Sequence, residues 1–180
     1  MALCARVSCD AALYERIARQ AAALDPQAWG TLPHRAEAHG IAPLLFTHLK
    51  AVSAPVPTEV QRALRGLTLR HRLANRARMA VLGSMLARLG TAGISVCVLK
   101  GAALAHLIYP TPDLRPMRDV DLLVRPSEAR RAQRLLREMG FTAPPAESAD
   151  LPDKHMAAAQ LDEAGFVLSV EVHHNLFAAA

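Results

Sequence analysis

Apolar positions recur at helical spacing through the first half of the chain and in short alternating or continuous runs through the second. In "CDAALYERIARQAAAL", Leu13, Ile17, Ala21 and Leu24 share one helical face after Asp10, a side chain able to cap, and Pro26 follows the predicted end. "PHRAEAHGIAPLLFTHLK" predicts two shorter helices that meet near Gly40 and Pro43. The loop "AVSAPVP" leads to Thr58, the N-cap of a long helix expected to reach Leu89, with Gly66 and Gly83 as its weak points and "GTAG" as its end. At Ile94 the pattern changes. "ISVCVL" predicts a strand buried on both faces, residues 101–108 a short helix opening on Gly101, and "DVDLLV" a second strand. After Pro126 and Ser127 comes a helix with Ala132, Leu135, Leu136 and Met139 as its apolar stripe and Gly140 with Phe141 as its C-terminal cap. Residues 142–153 read as a loop, and "HMAAAQL", "DEAG" and "FVLSVEVHH" as a β-hairpin.

This order predicts an α+β fold: a helical N-terminal region over residues 1–90, then a core over residues 91–180 built as strand, helix, strand, helix and hairpin. The 180 residues are 52% hydrophobic and 21% charged, without repeats or low-complexity tracts, which excludes a disordered chain. No apolar run reaches the about 20 residues of a membrane span, and "MALCARVSCDAALYERIARQ" lacks the hydrophobic stretch of a secretory signal, so a cytoplasmic location is expected. Cys4, Cys9 and Cys97 form neither a disulfide framework nor a zinc pattern, and Cys97 is expected to be a small buried hydrophobe.

The net charge of +5 is unevenly spread. From Val60 to Pro112 there is no acid, while Arg62, Arg65, Arg70, Arg72, Arg76, Arg78, Arg88 and Lys100 fall in that stretch. Such a face over residues 60–100 attracts RNA or another polyanion; the alternative is a solvated arginine-rich helix. Aromatic residues are absent between Phe46 and Tyr109, which argues against base-stacking platforms.

Chemistry concentrates in "VLKGAALAHLIYPTPDLRPMRDVDLLVRP". On a strand, Asp119, Asp121 and Leu123 share one face and Val120, Leu122 and Val124 the other, so two carboxylates stand about 7 Å apart at Cα and need a counter-charge. A divalent cation supplies one; pairing with Arg115, Arg118 or Arg125 is the alternative. Gly101 follows a strand and opens a helix, a place where backbone N–H groups accept phosphate, with Lys100 adjacent. Glu171 in "LSVEVHH" is a carboxylate among valines, with Ser169 and His173 on its own face, and its position permits a third metal ligand. His34, His39, His48, His71, His106 and His155 lack ligand spacing; His173 and His174 are adjacent and point to opposite faces, so only His173 is placed to approach the site.

These residues resemble the nucleotidyltransferase superfamily of DNA polymerase β, in which a glycine turn opening a helix is followed by D-x-D or D-x-E and a later third acid. "LKGAALAHLIYPTPDLRPMRDVDLLV" with "VEVHH", and "HGIAPLLFTHL" in the front half, resemble its bacterial uncharacterised nucleotidyltransferase branch. The resemblance implies a phosphate turn at Gly101 and Ala102, triphosphate contacts from Lys100, Arg115 and Arg118, and two Mg²⁺ ions held by Asp119, Asp121 and Glu171. Transfer of NMP from an NTP to a hydroxyl would follow. Ala102 departs from the superfamily's Ser or Gly. The resemblance also implies a further C-terminal region, so the core is expected to be truncated and its uncovered surface available for self-association. A non-catalytic nucleotide- or nucleic-acid-binding module, or one part of a split enzyme, is the competing expectation.

Overall fold

A computed structural model describes residues 1–144 and 154–177, in two compact units. The first comprises Met1–Asn75 and Ala105–Pro116; the second comprises Arg76–Leu104 and the chain from Met117 onward. The fold is α+β, as the sequence predicts.

In the first unit, α1 (Ala11–Ala22) starts where the Asp10 carboxylate accepts a hydrogen bond from the Leu13 amide, at 2.8 Å. α2 (Pro26–Ala38) starts seven residues before the predicted "PHRAEA" helix, because Asp25 caps the Ala28 amide at 2.7 Å and Pro26 occupies the first turn. Pro26 therefore opens a helix rather than merely following one. Gly40, with φ +63°, turns the chain into α3 (Ala42–Ala51). Leu13, Ile17, Trp29, Leu32, Leu45, Leu49 and Leu64 form the core of this unit. The long helix α4 (Thr58–Thr91) contributes residues 58–75 here and residues 76–91 to the second unit; Gly66 and Gly83 lie inside it. Buried Asn75 donates to the carbonyls of Pro112 and Arg115, at 2.9 and 2.7 Å, and so anchors the segment that follows α5.

The second unit holds a mixed sheet in the order β1-β2-β4-β3. β1 (Cys97–Val98) is a two-residue edge strand antiparallel to β2 (Asp119–Leu123). The expected strand buried on both faces is thus corrected: "ISVCVL" ends on a sheet edge, and Cys97 is exposed. β2 runs parallel to β4 (Phe166–His173), which pairs antiparallel with β3 (Ala159–Glu163) through a turn at Ala164 and Gly165, both at positive φ. α5 (Lys100–Leu107) follows β1 directly. α6 (Ala129–Glu138) buries Ala132, Leu135 and Leu136 and ends at Gly140, φ +95°, beside Leu161 of β3. Leu161 pairs with Leu168, so α6 lies on the face that also carries Val170 and Val172. Most of the predicted loop over residues 142–153 lies outside the described residues. Among the described residues, no helix is long and apolar enough to cross a membrane.

Candidate active site

The parallel pairing of β2 with β4 sets Asp119 beside Ser169, Asp121 beside Glu171 and Leu123 beside His173. Side chains in register on adjacent strands project from the same face, so the three acids share the face opposite Val120, Leu122, Val170 and Val172. The apolar residues sink that second face into the core, which fixes the carboxylate face as well. A shift of one residue in either strand would turn its acids inward.

Asp121 is the centre of the cluster and is 1% exposed. Its Oδ1 accepts from Lys100 Nζ at 2.6 Å and from His173 Nε2 at 2.8 Å. A carboxylate only accepts, so Nε2 carries the imidazole proton in this arrangement. His173 Nε2 also lies 3.4 Å from Glu171 Oε2, whose side chain is 26% exposed. Ligand atoms of Asp121, Glu171 and His173 all lie within 4.8 Å of one another, a spacing suited to one cation. The His155 ring leans on His173 at 5.0 Å between centroids, and its Nδ1 is 2.9 Å from the Met156 carbonyl oxygen.

The glycine turn is tied to this cluster through the backbone. The Leu99 amide donates to the Asp121 carbonyl at 2.9 Å, so the step from β1 to α5 occurs beside Asp121. Lys100 takes φ +44°, a left-handed conformation that a side chain with Cβ adopts at a cost of about 1–2 kcal/mol. Gly101 is half-buried, and a Cβ there would stand 3.3 Å from Met117 Cγ. Ala102 is buried, so it packs the turn from inside while Gly101 forms its accessible part. The hydrogen bond to Asp121 holds the Lys100 ammonium above the ordinary lysine pKa; partial burial opposes this, and the charges of Asp121, Glu171 and Asp119 add to it.

Arg118 is exposed immediately before Asp119. Arg115 belongs to the first unit, where its guanidinium lies 5.8 Å from the centre of the Tyr109 ring. The side-chain partners of buried Asp121 are thus Lys100 and His173 rather than Arg118 or Arg125. Sequence reasoning missed Arg78, which it grouped with the arginines of the acid-free stretch. Arg78 is 8% exposed, and its Nε and Nη1 have no hydrogen-bond partner among the described residues. Burial pushes its guanidinium pKa down, and the charge of Asp119 works in the opposite direction. No local signal separates a buried arginine from solvated ones on the same helix.

Elsewhere in this unit, an apolar groove lined by Val96, Cys97, Leu123, His174 and Phe177 involves none of the three acids. The shape of the surface and the chemistry therefore point to different places. The convergence of carboxylates and cations is the more specific signal, because it needs a reason that an apolar hollow does not.

Acids in register on two parallel strands, beside a glycine turn that opens a helix, are the features by which the sequence resembles a nucleotidyl-transferring core. Residues 25–180 match the model of a family described as uncharacterised nucleotidyltransferase, and the chain belongs to that family. No curated protein matches the chain.

Proposed function

We propose that this chain transfers a nucleoside monophosphate from a nucleoside triphosphate, ATP among the candidates, to a hydroxyl acceptor. The observation that carries this reading is the pairing of Asp121 with Glu171 across β2 and β4, next to the Lys100–Gly101 turn. Asp119, Asp121 and Glu171 offer hard oxygen ligands on one face, a donor set that fits Mg²⁺. Two such ions, when bound, neutralise the triphosphate and make the acceptor hydroxyl a better nucleophile.

The chain's own residues then have distinct tasks. Lys100, 59% exposed at its side chain, is free to swing from Asp121 towards a phosphate oxygen. Gly101 lets a phosphate approach the first amides of α5, which lack intrahelical partners, and buried Ala102 holds that turn in shape. Arg118 adds positive charge beside Asp119. The acceptor oxygen bonds to the α-phosphorus, the bond to pyrophosphate breaks, and the acceptor's proton passes to solvent. Positioning and charge neutralisation supply the acceleration.

One observation favours a second reading, a nucleotide-binding module without turnover: Asp121 Oδ1 already accepts from two side-chain donors, Lys100 and His173. Incubation with each labelled NTP, Mg²⁺ and cell extract distinguishes the two, since only the transferase yields labelled acceptor. In the same protein, Asp121→Asn is expected to remove the Mg²⁺-dependent thermal shift given by NTP while leaving the fold intact. A shift of undiminished size in Asp121→Asn and in Asp119→Asn would place the nucleotide elsewhere.

A further inference from the structure

We propose that His173 is itself a metal ligand, through Nε2, so that the ion it shares with Asp121 and Glu171 is a first-row transition-metal cation of the Mn²⁺ or Zn²⁺ class. This inference rests on the metal-dependent reading above and goes beyond its all-oxygen Mg²⁺ site.

The geometry singles out His173 rather than Asp119 as the third donor. Asp121, Glu171 and His173 bring their ligand atoms within 4.8 Å of one another, and Asp119 is not in that set. Ligand atoms about 2.0–2.2 Å from a shared ion stand at most about 4.4 Å apart, so movements of a few tenths of an ångström complete the site. All three side chains start from fixed positions. Asp121 and Glu171 are neighbours across a parallel ladder, and His173 follows Glu171 on the same face of β4. Asp121 is 1% exposed and the His173 side chain 9%, so this is not a loose surface cluster of acids.

The contacts seen without a cation are those that a cation would replace. His173 Nε2 points its proton at Asp121 Oδ1, and Lys100 reaches the same oxygen from the solvent side. Both donors hold positions that a metal's charge would fill. When the ion enters, the Nε2 proton leaves to solvent or the ring adopts its Nδ1–H tautomer, which frees the Nε2 lone pair. Lys100, largely exposed, moves away without a packing cost. An imidazole nitrogen suits transition metals, whereas Mg²⁺ is served by carboxylate and water oxygens. Asp119, two residues from Asp121, is left to meet a cation that arrives with the nucleotide.

The test loads the whole protein with Mn²⁺ and records electron spin echo envelope modulation, which detects a directly bound ¹⁴N without any need for activity. The expected spectrum shows nitrogen modulation in the wild type that disappears in His173→Gln while Mn²⁺ still binds. Glutamine keeps a donor for Asp121 but offers no imidazole, so a purely structural role for His173 would leave metal affinity unchanged. A ligand role should lower Mn²⁺ affinity by no less than the about 10–100-fold seen for groups that only orient a ligand. Mg²⁺ affinity should stay the same. Bound Mn²⁺ with no nitrogen modulation in the wild type would overturn the inference and leave the carboxylate site standing. Failure of the wild type to bind Mn²⁺ at all would bring down both. Should His173→Gln not fold, the wild-type spectrum still decides ligation, and His155→Gln excludes the neighbouring ring: modulation lost there would overturn the assignment to His173.

Discussion

Lys100 joins a strained backbone to the most buried carboxylate of the site. Its left-handed φ of +44° suits glycine better, yet the position carries a long cationic side chain that ends 2.6 Å from Asp121 Oδ1. Strain of this kind persists where the surroundings impose it, and it collects at functional sites. On the proposed metal site, Lys100 and an incoming metal would compete for the same oxygen, so Lys100→Gln is expected to bind Mn²⁺ more tightly than the wild type when no nucleotide is present. If Lys100 also receives phosphate, the same variant should bind Mg–NTP more weakly; calorimetry with each ligand separates the two effects. The pH dependence follows from the raised Lys100 pKa. A base with a folded pKa above its unfolded value stabilises fully below the unfolded value, here 10.5, and loses that contribution as pH rises through the folded value. The difference in stability between wild type and Lys100→Gln should therefore be flat from neutral pH to about 10 and shrink only above it. Residues of this kind were legible in part. Lys100, Asp121 and Glu171 stand out in the sequence by type and spacing. The contact of His173 with Asp121 depends on which strand lies beside β4, and the burial of Arg78 depends on which side of α4 faces inward.

At the scale of elements, the boundaries with a local chemical cause were the ones legible in the sequence. Asp10 caps α1, Gly140 with Phe141 ends α6, and Ala164–Gly165 closes the β3–β4 hairpin, each through residues a few positions apart. β1 was misjudged because a central and an edge strand can share one apolar composition; the sheet order that distinguishes them is non-local. The start of α2 was missed because Pro26 serves equally as a stop after α1 and as the first residue of a new helix; the Asp25 carboxylate on the Ala28 amide decides between them. The hairpin offers a clean test of the turn chemistry. Ala164 sits at φ +53°, where asparagine is tolerated better than alanine, and Asn-Gly is the preferred pair for a two-residue turn with both φ positive. Ala164→Asn is expected to stabilise the protein by about 0.5–1 kcal/mol, within the cost of left-handed backbone for a Cβ residue, and to raise the melting temperature. An unchanged or lower melting temperature would show that this turn does not limit the sheet.

Over the whole molecule, the arginine-rich stretch is less of an open polyanion surface than its sequence implies. Arg62 pairs with Glu59, Arg70 with Glu37, Arg72 with Asp113, and Arg88 with Glu138, while Arg78 is buried. Apart from Glu59, one turn before Arg62 on α4, these acids come from other parts of the chain to meet a segment that lacks its own. Long-range assembly governs the site too, since Asp121 and His173 are 52 residues apart in sequence yet touch. In the helical unit, which contains Trp29, the single tryptophan, α3 packs against α1 and α2, all within residues 11–51, a shorter span than separates Asp121 from His173. Closing a long loop before any contact rewards it slows folding, whereas local helix packing is fast. On dilution from urea, tryptophan fluorescence should therefore recover before the capacity to bind Mn²⁺; simultaneous recovery would mean that the parallel strands meet as early as the helices do. On the metal-binding reading proposed above, the parallel pairing of β2 with β4 also works as a clock: until the two strands meet, Asp121 and Glu171 are too far apart to hold one ion.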